Sequence, residues 1–366
     1  MASSLPDNPS LEALLEEARG GLQDSVARKY GFSGWPALVH HLEAAAELSV
    51  DPSRFDDTDA GVADRFCALA VLRYDESDAP PRREAATELL RSDPGLAGHH
   101  VWAAATAADP RTLAAALREN RALASATGGP FGWTPLMYLA YARVPQHDSL
   151  EAAAMLLDAG ADPNAGYLWR GMATPFTVLT GVFGEGEQGP RRQPRHPSAT
   201  ELADLLLRRG AHPVDQQALY NRMFRPDDAH LELLFAHGLA DAGPSVWERR
   251  LGEAMETRAQ MWHRQVSWAA ENGFTDRLAL LARHGIDVSG ADPVIARPPD
   301  DPNARDADGA TALHHAAWSG DLALIRQLLD AGADRTVRDN RFDATPLGWA
   351  QHAYQDEAAA LLSPDQ

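Results

Sequence analysis

Between Gly181 and Pro197 the chain places Glu185, Glu187, Arg191, Arg192, Arg195 and His196 in one run that also holds four glycines and three prolines. Carboxylates beside an imidazole are the materials of general acid–base chemistry, with Glu185 as base and His196 as acid if the fold brings both to one substrate. The competing reading is a surface insertion whose charges are solvated, because acid–base pairs arise often by chance. A second polar cluster follows at Tyr220-Asn221-Arg222-Met223-Phe224-Arg225. Tyr220 and Phe224 stand four apart on one helix face, as a core pair would, while Asn221 and Arg222 project elsewhere. With Trp169 and Arg170 they could wall a pocket against an acid of the insertion. Such a pocket would suit cofactor-free isomerisation, cyclisation or hydrolysis. Its catalytic candidates are Glu185, Glu187, His196 and Arg222. Its contacts are Trp169, Arg170, Tyr220, Asn221, Arg222 and Arg225.

Other chemistry is thinly represented. No Gly-rich loop ending in Gly-Lys-Ser/Thr, no His-Glu-x-x-His and no Gly-x-Ser-x-Gly occurs. The pairs His40-His41, His99-His100 and His314-His315 are adjacent. Neighbours on a helix point about 100° apart, whereas metal-ligand pairs prefer i and i+4, so no metal is expected. The single cysteine, Cys67, excludes an internal disulfide and sits among Phe66, Leu69 and Val71 as a small hydrophobe. A net charge of −19 disfavours a nucleic-acid groove or an anionic membrane and favours a partner with a basic patch or a cationic group. The first residues lack the basic and apolar regions of a signal peptide, and no stretch approaches the ~18 apolar residues that span a bilayer, so a cytoplasmic setting is expected.

The elements that must position these residues are short helices. In the stretch from Asn303 to Asp339, one helix opens at Thr311 with Leu313, Ala316 and Ala317 on one face. A Ser319-Gly320-Asp321 turn follows. A second helix carries Leu324, Ile325, Leu328 and Leu329 and stops at Gly332. Neither helix is long enough to be stable alone. Copies of the unit are visible elsewhere. Leu-Leu-x-x-Gly recurs at Leu156–Gly160 and Leu206–Gly210, and Thr-Pro-Leu/Phe at Thr134, Thr174 and Thr345. Thr311 and Thr345 are 34 residues apart.

This pattern, and Asp308-Gly-Ala-Thr-Ala-Leu-His-His-Ala-Ala317 above all, resembles the ankyrin repeat, whose period is about 33. The resemblance implies an all-α solenoid of about eight stacked helix pairs with a helical N-terminal cap. It also implies that His314 ties its helix to the neighbouring turn. Residues 1–50 are expected to cap the first repeat, 60–128 to hold degenerate pairs and 129–366 to form the clear array, the whole being one continuous solenoid. The implied function is a scaffold that recognises a protein partner through its concave face and inter-repeat turns, where Trp169 and Arg170 would stand. The alternative is the cofactor-free enzyme or ligand-binding protein described above, with its pocket at 181–197 and 216–225. No cofactor is implied by either.

Overall fold

Helices of six to fourteen residues bury one stripe each, and the chain supplies them in pairs. The structure, a computed structural model, describes residues 11–18, 21–55, 60–291 and 301–363. Residues 1–10 and 19–20 of the segment expected to cap the first repeat fall outside them, as do 56–59, 292–300 and 364–366. In chain order, α1 (Leu11–Glu17), α2 (Gln23–Lys29), α3 (Trp35–Leu48) and a short strand β1 (Ser49–Val50) come first. Pairs follow as α4 (Val62–Ala70) with α5 (Pro80–Ser92), α6 (Val101–Thr106) with α7 (Pro110–Glu119), and α8 (Pro135–Tyr141) with α9 (Ser149–Ala159). After β2 (Gly166–Trp169) and β3 (Pro175–Thr177), α10 (Val178–Phe183) is separated from its partner α12 (Ala199–Arg208) by one helical turn, α11 (Gly189–Arg192). Next come α13 (Gln216–Arg222) with α14 (Ala229–Ala236), an added helix α15 (Val246–Leu251), and α16 (Arg258–Glu271) with α17 (Thr275–Arg283). The last two pairs are α18 (Ala312–Ser319) with α19 (Leu322–Asp330), and α20 (Pro346–His352) with α21 (Asp356–Leu362).

Helix ends are set by local chemistry. Asp109, Asp148, Asp215 and Asp321 accept backbone amides at the starts of α7, α9, α13 and α19. Proline occupies the first turn of α5, α7, α8 and α20, where no amide partner is lost. Gly160 ends α9 at φ 105°, a conformation that costs an ordinary residue its Cβ clearance. The Thr-Pro signal works unevenly. Thr345 caps α20, Thr134 makes no side-chain cap bond, and Pro175 begins a strand. The cap at that third copy is Thr177, three residues later, which shares a capping box with Thr180.

The first helices α4, α6, α8, α10, α13 and α16 stack in chain order, and α7, α9, α12 and α14 stack beside them. Their shared core runs from Ala63 to Leu281. A group of aromatic rings, buried except for the half-buried Tyr74, fills the space beside α8 and α10. Trp133 and Tyr167 are stacked at 4.8 Å, and Tyr74 meets the Phe176 ring edge-on at 5.0 Å. The Tyr74 hydroxyl donates to Thr180 O (3.2 Å), so the chain after α4 lies across ground that the sequence reads as an open face.

Three departures from the expected continuous solenoid have physical causes. The N-terminal helices pack away from α4. Ala44 and Ala45 of α3 join Leu168, Trp247, Leu251 and Met255, because α15 presents an apolar face that no repeat covers. Second, β1 pairs in parallel with β2, and β2 antiparallel with β3, giving a three-stranded sheet in a chain that is otherwise helical. Third, the core is divided. Leu313, Ile325, Leu328 and Leu362 form a cluster of their own. Gly285 and Thr311 are 26 residues apart, where the next interval, Gly332 to Thr345, is 13. A connection twice as long does not hold α18 beside α16. Leu328→Ala, at a fully buried site, will cost about 2–5 kcal/mol. Hydrogen exchange will show amides of 312–362 exchanging faster while those of α8 and α10 are unchanged.

Candidate functional site

The insertion after α10 is a folded element. Gly184, Glu185 and Gly186 take successive positive φ values of 59°, 61° and 135°. A Cβ at Gly184 would lie 2.4 Å from Pro194 O, so only glycine lets the two limbs of the loop close. Glu185 N then donates to Gln193 O (2.7 Å), and the glutamate side chain turns inward to 3 % exposure. Arginines and amides staple the limb that returns. Arg83 donates to Arg191 O and Arg192 O (both 2.8 Å), Arg143 to Pro194 O (2.6 Å), and Gln193 to the buried Asp78 carboxylate (3.2 Å). Burial pushes the Arg143 guanidinium down to about 10.

The candidate acid–base residues are separated. Glu185 is ion-paired to Arg222, which is 1 % exposed, and accepts Arg195 Nε at 2.9 Å. Asp227 closes the group, 2.6 Å from Arg195 and 3.2 Å from Arg222. Two carboxylates and two guanidiniums thus neutralise one another. The cavity among Phe183, Arg195, Arg222 and His230 measures about 20 Å3, room for a water and not for a substrate. His196 faces another way. Its Nδ1 accepts Ser198 N (3.1 Å), which leaves Nε2 to donate to Gln146 Oε1 (2.7 Å). Burial, helped by the Arg143 charge, pushes its imidazole down to about 3. His196 is therefore neutral and fixes the start of α12.

The remaining candidates are likewise engaged. The Tyr220 hydroxyl donates to Glu187, its ring carries the Arg264 guanidinium at 4.9 Å, and it meets Phe224 edge-on at 5.2 Å. Asn221 is buried and accepts from Gln217 (2.8 Å). Arg225 is partly buried, and its carbonyl accepts Arg277. Trp169 and Arg170 stand at the end of β2 as an inter-repeat turn would place them, but the N-terminal segment covers them. Trp169 Nε1 donates to Arg73 O (3.0 Å), and Arg170 reaches Asp51 (3.2 Å) and Ser53 (2.8 Å). The structure brings Glu185 and Arg222 together, with Glu187 and Tyr220 beside them. It does not bring His196, Trp169 or Arg170 to that place.

An aromatic cleft that the sequence reading overlooked lies on the last two pairs. It measures about 560 Å3 and is lined by His315, Trp318, Arg341, Phe342, Trp349 and His352 among others. Trp318 meets Trp349 at 6.1 Å and 78°, and Phe342 meets Trp349 at 6.2 Å and 72°. Phe342 is 63 % exposed. The signal was present in the spacing. Positions 4 and 7 after Thr311 are His315 and Trp318, and the same positions after Thr345 are Trp349 and His352. Stacking uses other positions: Leu313, Ala316 and Ala317 are the buried ones. His314, by contrast, makes the expected tie, with Nδ1 on Thr311 N (3.0 Å) and Nε2 on Ala344 O (3.1 Å). The insertion reaches these pairs too. Arg191 contacts Asp356 and Tyr354 O (2.7 Å), Arg192 contacts His352 O (2.9 Å), and Trp318 Nε1 donates to Glu187 O (3.4 Å).

Comparison with known proteins gives matches to the family descriptions "Ankyrin repeat" over residues 131–166 and "Ankyrin repeats (3 copies)" over residues 266–366. The inactive serine/threonine-protein kinase TEX14 of Bos taurus and of Mus musculus is 37% identical over 62 residues. That match takes 17% of this chain and spans 4% of the length of those proteins. Among solved structures, EF0377, an ankyrin repeat protein, is 17% identical, with 73% of this chain and 97% of that one covered at a TM-score of 0.22.

Arg222→Met will leave the buried Glu185 with only the exposed Arg195 as its partner and cost about 3 kcal/mol in urea unfolding, and adding Glu185→Gln will recover part of the loss. The His196 pKa, lowered from 6.5 to about 3, also fixes a pH dependence. Between those values the unfolded chain binds a proton that the folded chain does not. Stability attributable to this group is therefore intact above pH 6.5 and falls as pH drops, by up to about 1.4 kcal/mol per unit. His196→Gln will flatten that part of the stability profile.

Proposed function

The chain is an ankyrin-repeat protein, and from that premise we propose that it is a binding scaffold whose recognition surface for a protein partner is formed by the last two repeats. Ankyrin repeats generally mediate protein–protein interaction, and the fold by itself selects no partner. The observation that carries the reading is the exposed aromatic cleft, built from first helices α18 and α20 and the turn holding Arg341 and Phe342 between them. Large aromatics on a solvent-facing, otherwise structurally unneeded surface are the anchors that dominate interface energy. Among the residues first expected to serve, the side chains of Trp169, Arg170, Tyr220, Asn221 and Arg222 make contacts within the chain. The pocket that an enzymatic reading requires at 181–197 and 216–225 has no space for a substrate.

Among the described residues no helix is long and apolar enough to cross a membrane. The acid excess of the chain supports a partner with basic character.

The full chain immobilised on resin will retain a protein from extract of its own cells, identified by mass spectrometry and re-tested as a purified binary pair. Phe342→Asp will weaken that pair by tenfold or more, in keeping with about 1.4 kcal/mol or more from a central aromatic anchor. A binary affinity unchanged by Phe342→Asp would remove this surface from the interface.

A further inference from the structure

The aromatic cleft has features that select a particular chemical group. Trp349 stands nearly perpendicular to both Trp318 and Phe342, and Trp318 is stacked on His352 at 5.7 Å and 22°. All three rings line the cleft, and the face of an aromatic ring is the negative side of its quadrupole. Both indoles are also polarised from behind. Trp349 Nε1 donates to the Asp339 carboxylate at 2.9 Å, and Trp318 Nε1 to Glu187 O at 3.4 Å. An acceptor on the indole N–H pushes electron density into the ring and strengthens its hold on a cation. Burial acts to raise the Asp339 pKa, but Trp349 and the amides of Phe342, Ala344 and Arg341 hold it down to about 2, so the polarising charge persists at any ordinary pH. One wall already carries a cation, since the Arg341 guanidinium lies 5.0 Å over the Phe342 ring. The acids Asp306 and Asp308 lie at exposed positions on the turn before α18.

We propose that the cleft is a cation box that receives the guanidinium or ammonium of an arginine or lysine side chain from a basic segment of the partner protein. This rests on the reading of the last two repeats as the recognition surface, and adds what that surface recognises. Arg341 then has a defined part: it is the resident cation of the Phe342 wall and competes with the incoming one. The other fixed charge touching the walls, Asp339, is buried behind Trp349 and acts through the ring rather than by direct pairing. Recognition is thereby tuned to a positive group that is shielded from water by ring faces, and not to charge alone.

The test uses the full chain against arrays of random peptide pools with a fixed central arginine, lysine, citrulline or glutamate. Citrulline keeps the shape of arginine and lacks its charge. Arginine and lysine pools are expected to be retained about fivefold more than citrulline, the size of a cation–π contribution at a partly desolvated site. Phe342→Ala, at an exposed position, will reduce that ratio severalfold. Arg341→Ala, equally exposed, will raise it by vacating the wall. Equal retention of arginine and citrulline, or no pool retained above citrulline, overturns the proposal. So does a preference for glutamate that Arg341→Ala abolishes, which would make the cleft a site for acidic peptides. If the purified partner is still lost with Phe342→Asp while arginine and citrulline are not distinguished, the scaffold reading stands and the cation box falls.

Discussion

A helix of fourteen residues or fewer is marginal on its own, and no described helix of this chain is longer. Each unit of structure therefore exists only through the apolar side that its neighbours cover, a constraint that repeat proteins meet by stacking. From α4 to α17 the solution is regular: first helices on first helices, with alanines at the closest approaches. The same constraint explains the two irregular additions. Once α15 is inserted between repeats it brings Trp247, Leu251 and Met255 to the surface, and α3 is the element that covers them. Once the connection to α18 lengthens, the last pairs close a core of their own.

The insertion after α10 works by different physics. It is held by arginine donors to backbone carbonyls, and by a group of two acids and two arginines in which Glu185 and Arg222 are buried while Asp227 is half-buried and Arg195 exposed. Such a group gains little net stability over an apolar replacement, because desolvation offsets attraction. Its effect is to fix geometry: every carbonyl of the returning limb that Arg83 or Arg143 holds has one position. The far side of the loop then meets the last repeats through Arg191 and Arg192. The two hydrophobic cores are thus joined by a polar element that belongs to neither.

Most of the fold was legible because stacking leaves a periodic trace. Leucine spacing, Leu-Leu-x-x-Gly stops and Thr-Pro starts marked helix pairs after residue 129. The placement of the N-terminal helices was not legible, since an amphipathic face such as that of α3 does not say which other face it meets. The site was misjudged for a related reason. A cluster of Glu, Arg and His looks alike whether its charges face a substrate or one another, and glycines in such a run do not say that Gly184 and Gly186 flank a Glu185 turned inward. Trp318 and Trp349 were hidden in plain helices. Their meaning lay in which repeat positions they occupy, and the same positions hold His315 and His352 with the order reversed.

The parallel pairing of Ser49 with Leu168, and the cover that α3 gives to Trp247 and Leu251, join segments made far apart in time. On a ribosome working at about 5–20 residues per second, α3 emerges roughly 10–40 s before α15 does. Throughout that interval Leu38 and Leu42 of α3 can pack on α1 and α2, but Ala44 and Ala45 lack Trp247, Leu251 and Met255, although repeats α4 to α9 can already be assembling. The docking of α3 onto the stack is therefore among the last contacts to settle, and a nascent chain halted near residue 240 would carry folded repeats beside a helical segment that still waits for α15.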